Sequence, residues 1–466
     1  MRDYQIKIEP FEFIALQELH IKQKINDHAT AEVTMRIKDD WKEKYIGTLT
    51  GETWVKIIGV DKQEESEVYT VLFYGLVTDF SFVQDGYETL FKLEITSGTI
   101  LMDLKPHFRV FQNEKTACAQ IYQRITGAYP EGQASCVEGS QDQTEGVLIQ
   151  FKETDWEFLK RLAGRTGWFL TPDALNKGVR YVVGLPGGRN REINTERIRI
   201  RLDAREYMEK SCNGMADLQP ADMVEITFID REIYSLGDTV MYQGKKYYLY
   251  QIFTYYEDAE CSHEYYLKTK EALKGLPEEN RNLSGCSFDA VVSSVQKDKV
   301  QVEIMQDEWK AADGKKWFPY STVYSSPDGT GWYCMPEVGD SVRLYVPEKD
   351  ENSFIISSVH RETDSARQNP DHKSLKTKYG KEILFTPNTI LMTNNQGMMV
   401  EMDDSEGITI TSDKDIVIQA QENLTIASGS SSLLIAADDK VQVKQGSTTM
   451  TLSGDISFTG GEFRIQ

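Results

Sequence analysis

The stretch GITITSDKDIVIQAQENLTIA, residues 407–427, repeats a short apolar strand every eight residues. Two series with this step, starting at Leu384 and at Met402, contain only apolar residues, and polar corners such as Asp413–Asp415 separate the strands. Short strands in a fixed repeat are typical of a β-helix or β-prism. The residues predicted to face the core of this fibre are Met392, Val400, Met402, Ile408, Ile410, Ile416, Ile418, Leu424, Ile426 and Leu434.

A single copy of the repeat cannot enclose a core, because each strand offers only one or two apolar side chains to the interior. A long apolar stripe left open to water is unfavourable, and several chains wound about one axis would cover it. We therefore predict an intertwined homotrimeric β-helix, or β-prism spike, over residues 376–466.

The residues before the fibre predict a mainly β chain with one mixed region. Alternating apolar residues in 1–98 and the turn at Asp85-Gly86 indicate hairpins. Helical spacing and capping residues indicate helices at Thr116–Thr126 and Thr154–Ala163. The predicted order is a hub β-barrel (1–98), an α+β hub insert (99–205), a second hub β-barrel (206–275), an oligonucleotide/oligosaccharide-binding (OB) fold barrel (286–360) and a connector (361–375) before the spike.

The chain of 466 residues is acidic, with a formal net charge of −21. Binding to nucleic-acid phosphates requires clustered Lys and Arg, so this charge argues against nucleic acid as a partner. No apolar run reaches the length of about 18 residues that a membrane-spanning helix needs. The first residues also lack the apolar core of a signal peptide, so we expect synthesis in the cytoplasm.

Four motifs resemble those of the hub-and-spike proteins of contractile injection systems, notably the type VI secretion spike (VgrG) family. They occur in the same order as the predicted domains, and the resemblance covers essentially the whole chain. The motifs are Ser97, Leu104 and RVFQN (109–113) in the hub, TDWEFLKRL (154–162) in the insert, MPEVGDSV (335–342) in the OB barrel and KYGKEI (378–383) at the start of the spike. One segment departs from the family, because EKDENS (348–353) stands where such proteins often have Gly-Asp and Pro.

The resemblance implies a structural role in a type VI secretion system, a phage tail or a tail-like particle. Such a hub-spike is a trimer that docks the inner tube and pierces the target envelope. The implied partners are two further copies of the chain, the inner tube protein, baseplate wedge proteins and a tip protein of the proline-alanine-alanine-arginine (PAAR) repeat class. After synthesis in the cytoplasm, the protein would join the particle, be delivered outward on contraction and contact the target envelope transiently.

Two other functions fit a trimeric β-fibre, namely a polysaccharide-degrading tailspike and a host-binding fibre. A glycosidase needs paired carboxyls in a cleft, one with a raised pKa, but Asp403 and Asp404 fall in a predicted turn. The connector is too short to hold a catalytic domain. The fibre is also poor in the aromatic residues expected of a recognition surface. We therefore predict a protein that is not an enzyme and has no catalytic residues.

The sequence predicts no cofactor site and no metal site. The last histidine is His372, which precedes the fibre, so histidines cannot bind a metal at its tip. The predicted OB barrel could bind nucleic acid or sugar, but its aromatic residues are accompanied by few basic ones. We instead expect packing in the barrel and trimer contacts for Trp309, Trp317, Tyr320, Tyr324 and Trp332.

The last predicted strands contain a candidate docking surface for the tip protein. Phe458, Phe463 and Ile465 would lie close to the blunt end of the fibre. An exposed last rung leaves backbone groups and apolar side chains in water, and a bound tip protein would cover both. Alternatively, Gly460-Gly461 lets the last strand fold over and seal the end.

Overall fold

β-Strands predominate along the chain, as the alternating sequence predicts. The computed structural model describes residues 4–63, 66–144, 146–257, 260–310, 314–360 and 367–459. The chain divides into two compact units, Met1–Arg361 and Glu362–Gln466. Among the described residues, no helix has the length and apolar character needed to cross a membrane.

The hub and its insert occupy most of the first unit. The first hub segment contains β1 (Tyr4–Glu9), β2 (Ala15–Lys24), β3 (Thr30–Ile37), α1 (Trp41–Thr48), β4 (Trp54–Gln63), β5 (Ser66–Asp85) and β6 (Glu88–Ser97). The insert contains β7 (His107–Phe111), α2 (Cys118–Thr126), β8 (Gln133–Cys136), β9 (Leu148–Glu153), α3 (Asp155–Arg165), β10 (Leu170–Pro172), β11 (Arg180–Val183), β12 (Asn190–Arg191) and β13 (Ile198–Leu202). The second hub segment contains α4 (Ala204–Cys212), β14 (Val224–Asp230), β15 (Thr239–Tyr242), β16 (Lys245–Glu257), β17 (Glu260–Lys268) and α5 (Lys270–Leu273).

The two hub segments are joined in one twelve-stranded sheet. Its path runs β1-β4-β5-β6-β3-β2-β16-β17-β14-β13, and β15 pairs with both β12 and β16. The link between the segments is the antiparallel pair β2–β16, in which Ile21 lies opposite Thr254. Alternate residues of β3, including Val33 and Met35, are buried in the core, as the period-two pattern predicts. The regions predicted as two barrels therefore share backbone hydrogen bonds.

Both predicted helices of the insert are confirmed. In α3, Thr154 forms a capping box with Glu157, in which each side chain accepts a hydrogen bond from the other residue's backbone N–H. The two hub segments, on either side of the insert, were predicted to contain only strands. This prediction was wrong, because the first segment contains α1 and the second contains α4. The N-cap of α4 is Asp203, whose carboxylate accepts from the N–H groups of Arg205 and Glu206. Asp203 could be recognised as a cap from the sequence. However, no residue of α4 is buried, so this segment lacks the strong apolar repeat from which a helix is predicted.

The rest of the first unit is a five-stranded sheet, as expected for the OB barrel. Its order is β20-β19-β18-β21-β22. The strands are β18 (Ser287–Gln296), β19 (Lys299–Ile304), β20 (Phe318–Pro319), β21 (Ser341–Tyr345) and β22 (Phe354–Ser358). The side chains of Val292, Val302 and Leu344 are buried in its core.

The second unit contains two antiparallel meanders. The first is formed by β23 (Lys373–Lys376), β24 (Glu382–Phe385), β25 (Thr389–Thr393), β26 (Met399–Asp403) and β27 (Gly407–Thr411), and the second by β28 (Val441–Gln445), β29 (Thr448–Ser453) and β30 (Asp455–Thr459). Residues 412–440, although described, form no strand. The repeat strands predicted around Ile416–Ile418 and Leu424–Ile426 are thus not paired with any strand of the described chain, and the intertwined β-helix remains a prediction.

Candidate functional site: a buried junction and an exposed apolar face

The strand pair β7–β9 lies between two hydrophobic cores of the first unit. Phe111 pairs with Leu148 in register, and both side chains are buried against α2 and α3 of the insert. The neighbouring pair, Val110 and Ile149, is buried instead in the core of the OB sheet. Successive side chains of a strand point to opposite faces, so this pair is shared by the insert and the OB barrel. We call it the junction.

On the insert side, Arg109 of β7 forms a buried ion pair with Asp155. The Nη1 atom of Arg109 lies 2.6 Å from Oδ1 of Asp155. The carboxylate also accepts from Nε2 of Gln150 at 2.8 Å and from the hydroxyl of Tyr129 at 2.7 Å. The guanidinium lies over the ring of Trp309, 4.5 Å from its centroid. Because Asp155 is the first residue of α3, the pair fixes this helix to β7.

A second buried arginine, Arg161 of α3, binds the end of β9. Its Nε and Nη2 atoms donate to the two carboxylate oxygens of Glu153 at 2.7 and 2.9 Å. The Nη2 atom also donates to the carbonyl of Ile149 at 2.9 Å, and Nη1 lies 3.4 Å from Oδ2 of Asp350. Two-point contacts of this kind position a carboxylate more precisely than one hydrogen bond can.

Asp350, in the loop before β22, connects the OB barrel to the insert. Its carboxylate accepts from the backbone N–H of Ile149 at 3.0 Å and forms ion pairs with Arg161 and Arg165. Burial alone would raise the pKa of Asp350, but the nearby Arg165 and Arg161 guanidiniums outweigh burial and hold the pKa below its ordinary value. The carboxylate is therefore ionised at neutral pH.

Three carboxyls near this loop, those of Glu279, Asp350 and Glu351, lie close enough together to hold a metal ion. The guanidinium of Arg165 already contacts all three, at 3.7 Å from Glu279, 3.1 Å from Glu351 and in an ion pair with Asp350. A permanent cation thus occupies the position of a metal, and we assign this cluster to the junction.

Further contacts fasten β7 to the segment after β19. Glu308 accepts from the backbone N–H of Phe108 at 3.2 Å and binds Nδ1 of His107 at 2.8 Å. Asp307 accepts from the backbone N–H of Val110 at 3.2 Å. The motifs that contain Arg109, Asp155 and Arg161 are visible in the sequence, whereas the acidic OB-barrel residues that bind the two arginines are not. Asp350 lies in the segment EKDENS (348–353), which departs from the family. Its partners are about 190 residues away in the chain, so the pairing leaves no pattern in the local sequence.

In the second unit, the five-stranded meander has one apolar face. Two rows of paired residues cross its strands on this face. The first row is Leu375, Ile383, Met392, Val400 and Ile410, and the second continues with Phe385, Ile390, Met402 and Ile408. We call these nine residues the octad face. The structure thus brings together five of the predicted fibre-core residues, but Leu384, the start of one series, lies opposite Leu391 on the other face.

Most of the predicted fibre core is open to solvent in the single chain. Val400 is half-buried, whereas Ile408 is 71% exposed and Ile418 65%. The exposed members are Met392, Met402, Ile408, Ile410, Ile416, Ile418, Leu424, Ile426 and Leu434. Exposure of so many aliphatic side chains is unusual for a soluble protein and is the basis for the association proposed below.

The predicted tip residues are only partly within the described chain. Phe458 lies in β30, opposite Met450 of β29. The other two, Phe463 and Ile465, lie outside the described residues. The alternation of Met450 with Leu452 places these two side chains on one face of β29.

The carboxyl of Asp403 is unsuited to general acid catalysis. It accepts from the hydroxyl of Ser405 at 2.7 Å, and from the N–H groups of Ser405 at 2.8 Å and Glu406 at 3.0 Å. These hydrogen bonds lower its pKa to about 2. The carboxyl is thus ionised at neutral pH and caps a turn, whereas a glycosidase acid must hold a proton there.

The aromatic residues of the OB region are not all packed in the barrel. Trp309 lies between Arg109 and Arg124, whose guanidiniums are 4.5 and 4.0 Å from its ring centroid. Trp332, in contrast, is 60% exposed, and Tyr324 is 50% exposed. The expectation of packing in the barrel was wrong for Trp332 and Tyr324, because residues 321–334 form a loop outside the sheet, and the expected trimer contacts stay a prediction.

The substitution Asp350→Asn tests the junction. It removes the charge that compensates Arg161 and Arg165 in a buried site, and we expect a loss of about 3 kcal/mol in the free energy of unfolding. Because the pKa of Asp350 is lower when folded, its contribution is present at neutral pH and disappears as the pH falls below about 4. Calorimetric melting of both proteins should therefore differ at pH 7 and converge in acid.

The matched control is Glu348→Gln, which removes an exposed carboxylate from the same loop. It should leave the melting temperature nearly unchanged. Equal effects of the two substitutions at pH 7 would contradict the assignment of Asp350 to the junction.

Comparison with known proteins agrees with this architecture. Residues 32–205, which contain β7, β9 and α3, match the family described as phage tail baseplate hub (GPD). No curated protein matches the chain. The E. coli c3393 protein is described as a type VI secretion component structurally similar to the T4 phage tail proteins gp27 and gp5. It aligns with a TM-score of 0.52 and 10% identity, over 76% of this chain and 100% of its own.

The fold also aligns with a chain of the Francisella PdpA–VgrG complex. The half-lidded form gives a TM-score of 0.55 at 10% identity, covering 88% of both chains. The lidless form gives the same TM-score, identity and share of this chain, and 98% of the other chain is covered. The family match over residues 32–205 and the fold of most of the chain agree with the resemblance inferred from the four motifs: the hub region is similar to the phage tail baseplate hub family, and the chain has the fold of VgrG-type hub proteins.

Proposed function

We propose that three copies of this chain form the hub and spike of a contractile injection machine, either a type VI secretion system or a phage-like tail. The first unit would supply the hub and the OB collar, and the second unit the spike. The exposed octad face is the observation that supports the proposed trimer. The hub assignment is supported by the family match over residues 32–205.

Burial of the octad face would drive association of the second units. Covering one Ile or Leu side chain contributes about 1.5–3 kcal/mol, and the exposed set supplies many such side chains. This gain must exceed the mutual repulsion of chains that each carry a net charge of −21. An intertwined trimer would also supply partner strands for residues 412–440, which form no strand in one chain.

The junction would make the hub and the OB barrel mechanically continuous. Insert and barrel share the β7–β9 strand pair and are fastened by Asp350 and Glu308. Closely packed protein interiors transmit strain with little compression, so a load on the hub would reach the barrel without a flexible linker. Such continuity suits a protein that is pushed outward when the machine contracts.

The remaining partners follow from the same role. The twelve-stranded hub sheet would dock the inner tube protein, and baseplate wedge proteins would surround the hub. The spike would contact the target envelope transiently. The residues after Ser453, with Phe458, Phe463 and Ile465, would bind a PAAR-type tip protein.

Substitution of an octad residue tests the trimer. The change Ile418→Asp would bring three carboxylates together on the fibre axis, where they are poorly solvated and repel one another. We expect loss of the trimer, measured by light scattering of the purified protein at micromolar concentration.

Val417→Asp is a matched control, because it introduces the same charge at the adjacent, outward-facing position, which is 82% exposed. It should remain trimeric, as should Asp413→Ala at a polar corner. A wild-type monomer, or equal dissociation of the Ile418 and Val417 variants, would contradict the proposed fibre.

Truncation of the chain tests whether the end of the fibre binds the tip protein. A chain ending at Ser453 lacks β30 and the residues that follow it. We expect the full chain, but not the truncated one, to retain a purified PAAR-type protein in a pull-down, while both stay trimeric. Retention by both chains would place the binding site elsewhere, and retention by neither would favour a self-sealed end.

A further inference from the structure

A groove on the OB region is unexplained by the hub role. It lies between residues 320–323, residues 332–334 and the end of β22. Its lining side chains are Tyr320, Ser321, Thr322, Val323, Trp332, Cys334, Ile356 and Ser357. Although the chain is strongly acidic, this lining includes no Asp, Glu, Lys, Arg or His. A groove without charge selects against phosphate-bearing ligands and metal ions.

The backbone holds the walls of the groove in place. The N–H of Trp332 donates to the carbonyl of Tyr324 at 2.8 Å, and the hydroxyl of Thr322 donates to the carbonyl of Trp332 at 2.8 Å. The neighbouring Tyr333 donates its hydroxyl to the carbonyl of Lys297 at 2.9 Å. The indole of Trp332 is nevertheless 60% exposed. A fixed backbone thus presents a large, flat ring to solvent.

Ser357 occupies the opposite wall in an unusual conformation. In the β21–β22 pair, Val342 lies opposite Ser358 and Arg343 opposite Ile356, so Ser357 is an extra, bulged residue. Its φ of 38° lies in the left-handed region, which is unfavourable for a residue with a side chain. Bulges of this kind reorient side chains next to binding sites, and such strain is often found at functional positions.

We propose that this groove binds a neutral saccharide. The exposed indole would stack on the apolar face of a sugar ring, and the exposed hydroxyls of Ser321 and Ser357 would exchange hydrogen bonds with its hydroxyl groups. An apolar platform with a few neutral polar groups is typical of small-molecule sites. The repulsion between this acidic chain and polyanions favours an uncharged glycan over nucleic acid. The site does not depend on the proposed trimer.

Calorimetric titration of the full chain with neutral tetrasaccharides, maltotetraose and chitotetraose, tests the site. We expect saturable binding of at least one of them, weakened about tenfold by Trp332→Ala and largely kept by Trp332→Phe. Tyr379→Ala, which removes a 72% exposed aromatic ring in the second unit, is the control and should bind as the wild type does.

Three results would overturn the proposal. The first is the absence of saturable saccharide binding, or binding that Trp332→Ala leaves unchanged. The second is saturable binding of a single-stranded oligonucleotide in place of the sugars. The third is loss of the trimer in Trp332→Ala without any saccharide, since the groove would then be a contact between copies of the chain.

Discussion

The first unit depends on a strand pair that belongs to two cores at once. Because Phe111 and Val110 point to opposite faces of β7, the insert and the OB barrel cannot separate without exposing apolar surface on one of them. The buried arginines add direction to this constraint. Arg161 is costly to bury and is tolerated only because Glu153, Ile149 and Asp350 surround it. The buried ion pairs thus fix one arrangement of the insert core and the OB-barrel core. Hydrophobic packing alone, which has no preferred direction, would allow the two cores to shift relative to each other.

The second unit, in contrast, leaves most apolar side chains of its repeat exposed in a single chain. Antiparallel pairing aligns Met392, Val400 and Ile410 in a row, and in the single chain Met392 is 50% exposed and Ile410 57%. A step of eight residues suits strands wound around an axis, whereas successive partners in the meander are 8, 9, 8 and 10 residues apart along the first row of the octad face and 5, 12 and 6 along the second. In the proposed trimer the regular repeat, which continues through Leu434, would set successive strands around the axis.

Sequence patterns predicted what depends on local physics. The cap at Thr154, the alternation in β3 and a turn beside Asp85 are each set by neighbouring residues and are present in the structure, although the turn predicted at Asp85-Gly86 lies one residue later, at Gly86-Tyr87. The β2–β16 link and the contact of Arg161 with Asp350 join residues far apart in the chain, so no window of sequence contains them. Of the candidate surfaces, the octad face could be predicted because it repeats, but the groove at Trp332 could not, since a bulge at Ser357 forms one wall.

Rigidity and recognition place different demands on the same OB sheet. Its buried side, with Val302 and Leu344, is closely packed and continuous with β7–β9, which suits the transmission of force. Its loop side retains a strained serine and an exposed indole, which packing alone would not favour. A purely mechanical collar would use the exposed indole only as a contact between copies of the chain. Their position on a well-supported sheet, at a groove without charge, fits the proposed saccharide site, because a binding site needs side chains presented by a rigid element.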